Sequence, residues 1–301
     1  MNRLAVDFLG NHLKNPVVMA SGTYGFGTEY ARFYDPAELG GFSTKGLTLE
    51  PRPGNSGIRL WETPSGLLNS IGLENPGIDD FVGRIWPEIK DLDTLILANV
   101  GGKDEESYLE AVRRLNDIDI PIIELNISCP NVKAGGMAYG MEPDKAGEIT
   151  EKVKNVSRHP VMVKLSPNAG DLVGVAKACE QAGADALSLI NTLQGMAIDW
   201  RTKKIVFDNT YAGFSGPAVK PVALRMVHQV CGAVDIPVMG LGGITTWQDA
   251  LEFMLAGASC IQIGTAGFAD PYAPLAVIDG LERYCEDEDV MLADLIGKAV
   301  K

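Results

Sequence analysis

Two lysines stand where lysine is least expected. Lys45 interrupts the run GFSTKG (41–46) and Lys164 the run VMVKLS (161–166), both otherwise suited to buried strands. A buried ammonium with no partner is costly. Each lysine is therefore either half of a structural ion pair or a cation aimed at an anionic ligand or at charge that develops during a reaction. No Asp or Glu occupies a corresponding strand end, which favours the second reading. A set of asparagines accompanies them: Asn69, Asn99, Asn126, Asn131 and Asn191. An amide offers a donor and an acceptor without net charge. Several converging on one pocket suit a small ring whose edge alternates C=O and N–H groups, such as a pyrimidine or a flavin. A single Asn is more often a turn or cap residue, but three of these fall at strand ends. Gly242-Gly243 and Gly264-Thr265 close two further apolar runs and lead into helical patterns. Either turn alone reads as a tight turn. Together they suit a phosphate cradle, because bare backbone N–H groups can approach the anion.

Acid–base chemistry needs a further group. The three histidines lie badly for it: His12 in the N-terminal segment, His159 ahead of a strand, His228 in a helical pattern. No His/Glu pair has metal-ligand spacing, and no metal site is expected. The group left is Cys129, in ELNISCPNVKAGG (124–136), where a strand gives way to a glycine-containing loop able to cover a substrate. Cys179, Cys231, Cys260 and Cys285 fall in helical patterns or within a strand, where cysteine behaves as a small hydrophobe. With five cysteines and no C-x-x-C pair, neither disulfides nor an internal zinc or iron–sulfur site is expected.

Short apolar runs recur through the chain: PVVMAS (16–21), GFSTKG (41–46), LILANV (95–100), IIELNI (122–127), VMVKLS (161–166), ALSLIN (186–191), PVMGLG (237–242) and CIQIGT (260–265). Near-continuous hydrophobicity marks strands buried on both faces. Helical patterns lie between them, among them 104–117, 171–184 with an Asp cap and a Gly stop, 220–234 and 246–258. Eight alternating units predict an α/β fold, a (β/α)8 TIM barrel, with residues 1–301 as one domain. Residues 4–15 read as a β-hairpin capping the barrel bottom. Segments 47–74 and 193–217 are too long for simple connections and read as extended loops at the C-terminal face. Active sites of this fold sit at the C-terminal ends of the strands. The strand ends deliver Ala20, Ser21, Gly22, Lys45, Gly46, Asn99, Asn126, Cys129, Lys164, Asn191, Thr192, Gly242, Gly243, Gly264 and Thr265.

Composition narrows the partners. A net charge of −13 and a pI near 4.7 argue against nucleic acid, which needs a basic face, but allow a local basic pocket for one phosphate. The acidic run CEDEDV (285–290) reads as a solvated helix end. No signal peptide and no long apolar run is seen, so the expectation is a soluble, cytoplasmic protein that binds no membrane. In that setting the N-I-S and N-V-S triplets at 126–128 and 155–157 carry no meaning as glycosylation sites.

Several longer stretches have a combined resemblance. SGTYGFGTEY, TKGLTLEPRPGN, LLNSIGLENPG, ELNISCPN, NTLQGMAIDW, SGPAVKP and GLGGI together resemble the dihydroorotate dehydrogenase family, from about residue 2 to the C-terminal helix. The resemblance implies an FMN-bound barrel that oxidises dihydroorotate to orotate in pyrimidine biosynthesis. It implies FMN held by Ala20, Ser21, Lys45, Gly46, Asn99, Asn126, Lys164, Ile190, Gly216, Gly242, Gly243, Gly264 and Thr265. Substrate would be met by Lys45, Asn69, Ser70, Ile71, Gly72, Leu73, Asn126, Asn131, Asn191 and Thr192. In the implied chemistry Cys129 takes a proton from C5 of dihydroorotate, a hydride leaves C6 for flavin N5, Lys164 stabilises the anionic reduced flavin, and Lys45 meets the substrate carboxylate and the flavin edge.

The chain looks like the soluble class of the family, since the membrane-bound class uses a Ser base and carries an N-terminal helical extension. NTLQGMAIDWRTKK resembles the NAD-linked type 1B catalytic subunit rather than the fumarate-using homodimer of type 1A. That type works with a second subunit carrying FAD and a [2Fe–2S] cluster, which implies a homodimer of this chain within a heterotetramer. One departure is Phe214: the family often has Gly-Gly-Leu-Ser-Gly where this chain has Ala212-Gly213-Phe214-Ser215-Gly216. Two other readings stand beside this one: an FMN barrel that reduces uridines in tRNA, disfavoured by the acidic charge, and a flavin- or phosphate-binding scaffold without activity. Cys129 and the two lysines argue against the scaffold.

Overall fold

The structure, a computed structural model, describes residues 2–128 and 139–300. The chain opens with an antiparallel hairpin, Val6–Phe8 (β1) and Asn11–Leu13 (β2), in which Val6 faces Leu13. Leu4, Val6, Phe8 and Leu13 are buried in the main core, so the hairpin caps the end where the barrel strands begin. The first barrel strands are Val17–Met19 (β3) and Gly41–Ser43 (β4). The crossover between them carries only the 3₁₀ turns Thr28–Tyr30 and Pro36–Glu38. Two strands outside the barrel follow, Leu60–Thr63 (β5) and Gly66–Asn69 (β6). The next crossover is Ile78–Asp80 (α1), a π turn at Phe81–Ile85, and Trp86–Ile89 (α2).

The pattern then becomes regular: Leu95–Val100 (β7), Glu105–Leu115 (α3), Ile122–Asn126 (β8), Pro143–Val156 (α4), Val161–Lys164 (β9), Leu172–Gln181 (α5) and Ala186–Leu189 (β10). A non-barrel excursion comes next, with Leu193–Gly195 (β11), Ile198–Asp199 (β12), Lys204–Ile205 (β13) and Ala212–Ser215 (β14). Lys220–Cys231 (α6), Val238–Leu241 (β15), Trp247–Leu255 (α7), Cys260–Ile263 (β16), Ala266–Ala269 (α8) and Ala273–Asp287 (α9) complete the order.

The eight barrel strands close in the order β10-β15-β16-β3-β4-β7-β8-β9, with every pairing parallel. This is the predicted (β/α)8 barrel, and each predicted run contains one of its strands. The strands are wholly buried because helices cover their outer faces and side chains fill the interior.

Three of the helices, α3, α5 and α7, start where their sequences provide a side-chain cap. Asp104 forms a capping box with Ser107, Asp171 accepts from Gly174 N, and Thr246 forms a capping box with Asp249. The expected extended loops are partly ordered into a second sheet, β11-β14-β6-β5, assembled from segments more than 100 residues apart. It carries its own small core of Leu68, Val206, Phe207 and Ala212, with Trp61, Ala197 and Phe214 packed against it. Phe214, the departure from the family pattern, is therefore absorbed as an apolar contact of this sheet, opposite Leu68 and Leu193.

Candidate functional site

The polar residues of the barrel interior are set by strand register. Side chains two apart on a strand share a face, so Glu124 and Asn126 both point inward from β8. Asn99 of β7 pairs with Glu124, Lys164 of β9 pairs with Asn126, and Ser188 of β10 pairs with Lys164. These residues and Gln262 of β16 are almost wholly buried.

Glu124 is the centre of the arrangement. Its Oε2 accepts from Ser43 Oγ at 2.6 Å and from Asn99 Nδ2 at 2.7 Å. Its Oε1 accepts from Ser188 Oγ at 2.9 Å and Gln262 Nε2 at 3.0 Å, and lies 3.6 Å from Lys164 Nζ. Burial pushes this carboxyl up, but the Lys164 charge and the donors Ser43, Asn99 and Gln262 outweigh it and hold it below the usual carboxylate range. Lys164 Nζ donates a hydrogen bond to Ser21 Oγ at 3.3 Å. Asn99, whose Nδ2 is committed to Glu124, keeps its buried Oδ1 without a partner among the described residues. A Cβ placed on Gly46 would come within 3.0 Å of that oxygen. An unpaired buried acceptor is expensive, so a ligand N–H at this point would be stabilising.

The expectation that neither lysine faces a carboxylate is overturned for both. Glu124 lies mid-strand rather than at a strand end, and the long Lys164 side chain reaches down to it from the neighbouring strand. Lys45 Nζ lies 3.9 Å from Glu74 Oε2, a residue of the loop that follows β6. Glu74 is itself held by Arg59 Nη1 at 2.8 Å. The Lys164–Glu124 and Lys45–Glu74 separations are ion-pair distances beyond hydrogen-bond length, so both ammonium groups keep donors for a ligand.

The asparagine set is partly assembled. Asn191 Nδ2 donates to Ser128 Oγ and to Asn126 Oδ1, and Ser128 Oγ donates to the same Asn126 oxygen at 2.7 Å. Asn191 Oδ1 accepts from Thr192 N at 2.7 Å. Asn69 stands on β6 and donates to Gly213 O at 3.3 Å. Ser70, Ile71, Gly72 and Leu73 form the bend after it. Their backbone is held by Asn55, which donates to Ser70 O and Ile71 O, and by Asn75, which donates to Leu73 O at 2.7 Å. Gly72 and Leu73 both have positive φ, 78° and 55°. Two residues of the sequence reading, Cys129 and Asn131, lie outside the described residues.

The glycine turns differ in how strongly they are built. Gly216 has φ +102°, and a Cβ there would sit 2.6 Å from Gly66 Cα. Gly243 has φ +77°, and its Cβ would meet Lys220 N at 2.7 Å and Gly216 O at 2.9 Å. Gly216 and Gly243 therefore form one close-packed backbone cradle that no other residue type fits. Lys220 anchors it through ion pairs to Asp249 and Glu252 of α7. Burial raises the Asp249 carboxyl, but Lys220 and the donors of Thr245 and Thr246 prevail and hold it at about 2. Gly264 is looser: a Cβ would meet Ala20 and Thr23 at ordinary contact distance, 3.5 Å. Thr265 Oγ1 donates to Ser215 Oγ at 2.8 Å, joining the end of β16 to the Gly216 turn. Ile190, buried and following a cis peptide bond from Leu189, lies against Gly242. Gly216→Ala is expected to lose about 1–3 kcal/mol of stability, read by urea denaturation. An unchanged midpoint would mean that Gly66 and Gly216 do not approach in this way.

The histidines stay out of this set, as expected. His12 pairs with Asp7, His159 reaches Leu115 O and His228 reaches Ala299 O. No metal-binding group of His, Cys, Asp and Glu occurs among the described residues. Sequence reasoning missed Glu124, Ser43, Ser188 and Gln262. A charged residue inside IIELN and an amide inside CIQIG, each flanked by apolar residues, were the available signals.

The dihydroorotate dehydrogenase family model matches residues 3–285. The chain belongs to the dihydroorotate dehydrogenase family. Relatives within it are similar over nearly their whole length. A protein of Parabacteroides distasonis is 53% identical over 287 residues, covering 95% of this chain and 94% of its own. A protein of Petrotoga mobilis is 49% identical over 285 residues, covering 95% of each chain. A protein of Geobacillus kaustophilus is 50% identical over 303 residues, covering 100% of this chain and 97% of its own. All three are named dihydroorotate dehydrogenase B (NAD(+)), catalytic subunit. Dihydroorotate dehydrogenases are flavin-dependent in general, a requirement that the buried Asn99 acceptor and the Gly216–Gly243 cradle of this member fit. No helix among the described residues is long and apolar enough to cross a membrane.

Proposed function

We propose that this chain is the catalytic subunit of an NAD-linked dihydroorotate dehydrogenase, oxidising (S)-dihydroorotate to orotate in pyrimidine biosynthesis. The observation that carries the reading is the pairing of Lys164 with an amide-lined strand-end site in a chain about half identical to relatives of that name. The cofactor we assign is FMN. Its flavin ring would be met by Ala20, Ser21, Lys45, Gly46, Asn99, Asn126, Lys164 and Ile190. Its phosphate would be held by Gly216, Gly242, Gly243, Gly264 and Thr265. The unpaired Asn99 Oδ1 supports a ring that presents an N–H at its edge.

Bound FMN supplies the acceptor for the hydride that leaves C6 of dihydroorotate. The chain's own residues do the rest. Cys129 takes the proton from C5, so that loss of one proton and one hydride creates the C5=C6 double bond. Lys45 faces the substrate carboxylate, while Asn69, Asn126, Asn131, Asn191 and Thr192 orient the ring through its alternating donors and acceptors. The bend Ser70–Leu73 would border that side of the site, and Lys164 would supply positive charge to the reduced cofactor.

The electrons would pass to NAD+ through a partner subunit carrying FAD and a [2Fe–2S] cluster, in a heterotetramer with two copies of this chain. Apolar side chains left exposed on the β12–β13 hairpin and its approach, Met196, Ile198, Trp200 and Ile205, support a subunit contact. Trp200 in particular is 75% exposed.

The absorption spectrum of the purified protein, before and after anaerobic addition of dihydroorotate, tests the reading. Oxidised flavin bands that bleach are expected. A protein without flavin, or flavin that stays oxidised, would overturn it. Rapid turnover of the isolated chain with fumarate would instead point to the fumarate-dependent type, and tight tRNA binding at physiological salt to a uridine reductase.

A further inference from the structure

We infer that Glu124 is the positioning residue of the flavin site, setting the effective charge of Lys164 and the orientation of Asn99, and thereby tuning the reduction potential of the bound flavin. The inference rests on the FMN reading above and adds a residue that touches neither substrate nor cofactor.

The geometry is specific. One carboxylate on β8 gathers donors from four other strands, Ser43 of β4, Asn99 of β7, Ser188 of β10 and Gln262 of β16, and faces the ammonium of a fifth, Lys164 of β9. Six of the eight barrel strands meet at one side chain that is entirely shielded from solvent. If this were only glue, apolar packing would serve as well, since buried ion pairs contribute little net stability compared with hydrophobic replacements.

What apolar packing would not supply is control of two groups that face the ligand. Asn99 spends its Nδ2 on Glu124, which leaves Oδ1 as the acceptor available to the ligand. Swapping the two ends of that amide would leave its N–H₂ toward the ligand and an oxygen against the carboxylate. Glu124 thus selects the orientation of Asn99. Lys164 sits 3.6 Å from the carboxylate without a hydrogen bond to it. Its charge is therefore offset but not consumed. With Glu124 ionised, the pair is near neutral when the flavin is oxidised, and the ammonium remains available to the negative charge of the reduced flavin. Without that carboxylate the site carries a full extra positive charge, which favours the anionic reduced flavin.

The test measures the flavin itself. Wild-type and Glu124→Gln holoprotein are reduced chemically, in the absence of dihydroorotate, against reference dyes, so the result does not depend on the substrate assignment. The Gln variant is expected to show a higher midpoint potential, with the reduction equilibrium shifted at least tenfold, about 30 mV for a two-electron couple. A potential equal to wild type with FMN still bound would overturn the proposal, as would a lower one. Glu124→Asp keeps the charge and shortens the reach, and serves where the amide variant does not accumulate. It is expected to weaken FMN binding at least several-fold, through slack in Asn99, while holding the potential closer to wild type than the Gln variant does. Loss of thermal stability in Glu124→Asp, with FMN affinity and potential both unchanged, would make Glu124 merely structural and end the inference.

Discussion

Lys164→Met is expected to slow flavin reduction by dihydroorotate about 10²–10³-fold, the usual cost of removing one preorganised charge-stabilising donor, and to cost about 3–5 kcal/mol of stability by leaving a buried carboxylate without its counter-charge. The two effects have separate causes and separate readouts. In the wild type, burial raises the Glu124 carboxyl, while the Lys164 charge and three hydrogen-bond donors lower it by more. A group whose folded pKa is depressed stabilises the fold above its unfolded pKa, about 4.3 for Glu. That contribution is lost as the pH falls through the folded value. Removing Lys164 leaves burial to dominate and raises the carboxyl above its unfolded value. The sign then inverts: the variant is most stable in mild acid and weakens as the pH rises. Urea denaturation at pH 5 and pH 8 measures the inversion. The double variant Lys164→Met/Glu124→Gln should recover much of the stability, because no buried charge is left unpaired, yet recover none of the reduction rate. A single variant that reduces at the wild-type rate would remove Lys164 from the chemistry.

Cys129→Ala is expected to retain FMN and to bleach with dihydroorotate about 10²–10⁴-fold more slowly, the contribution typical of a positioned general base. Cys129 lies outside the described residues, but its neighbours and its rivals both favour it. The residue before it, Ser128, is tied to Asn126 and Asn191, two of the four amides assigned to substrate. Each histidine is bonded elsewhere on the molecule. The other thiols are poor bases to recruit: burial pushes Cys179 and Cys231 up to about 12 and raises Cys260 and Cys285 as well. Stopped-flow reduction across pH should show a rate that rises as the wild-type thiol ionises and a flat profile in the Ala variant. Bleaching of the Ala variant at the wild-type rate would assign the base to another group.

The eight barrel strands were legible because a parallel strand covered on both faces needs an unbroken apolar run, and that composition is local. Lys45, Asn99, Asn126 and Lys164 were legible for the same reason, as polar residues at the ends of runs that otherwise exclude them. The sheet β11-β14-β6-β5 was not. It joins residues near 65 to residues near 213, and its strands are short and half-exposed, so no local pattern distinguishes them from loop. The Gly216–Gly66 approach and the place of Phe214 follow from that sheet and were hidden with it.

Residue types and their order were sufficient to determine the barrel, the family and the identity of the groups at the strand ends. Whether each lysine stands alone or beside a carboxylate was decided only by the tertiary structure. Glu124 looked like one charge in one strand, and its inward direction follows from its spacing to Asn126. Its five polar neighbours come from five other strands, up to 138 residues away. Barrel closure and register bring them together, and the energy of a buried charge depends on that shell far more than on the residue that carries it.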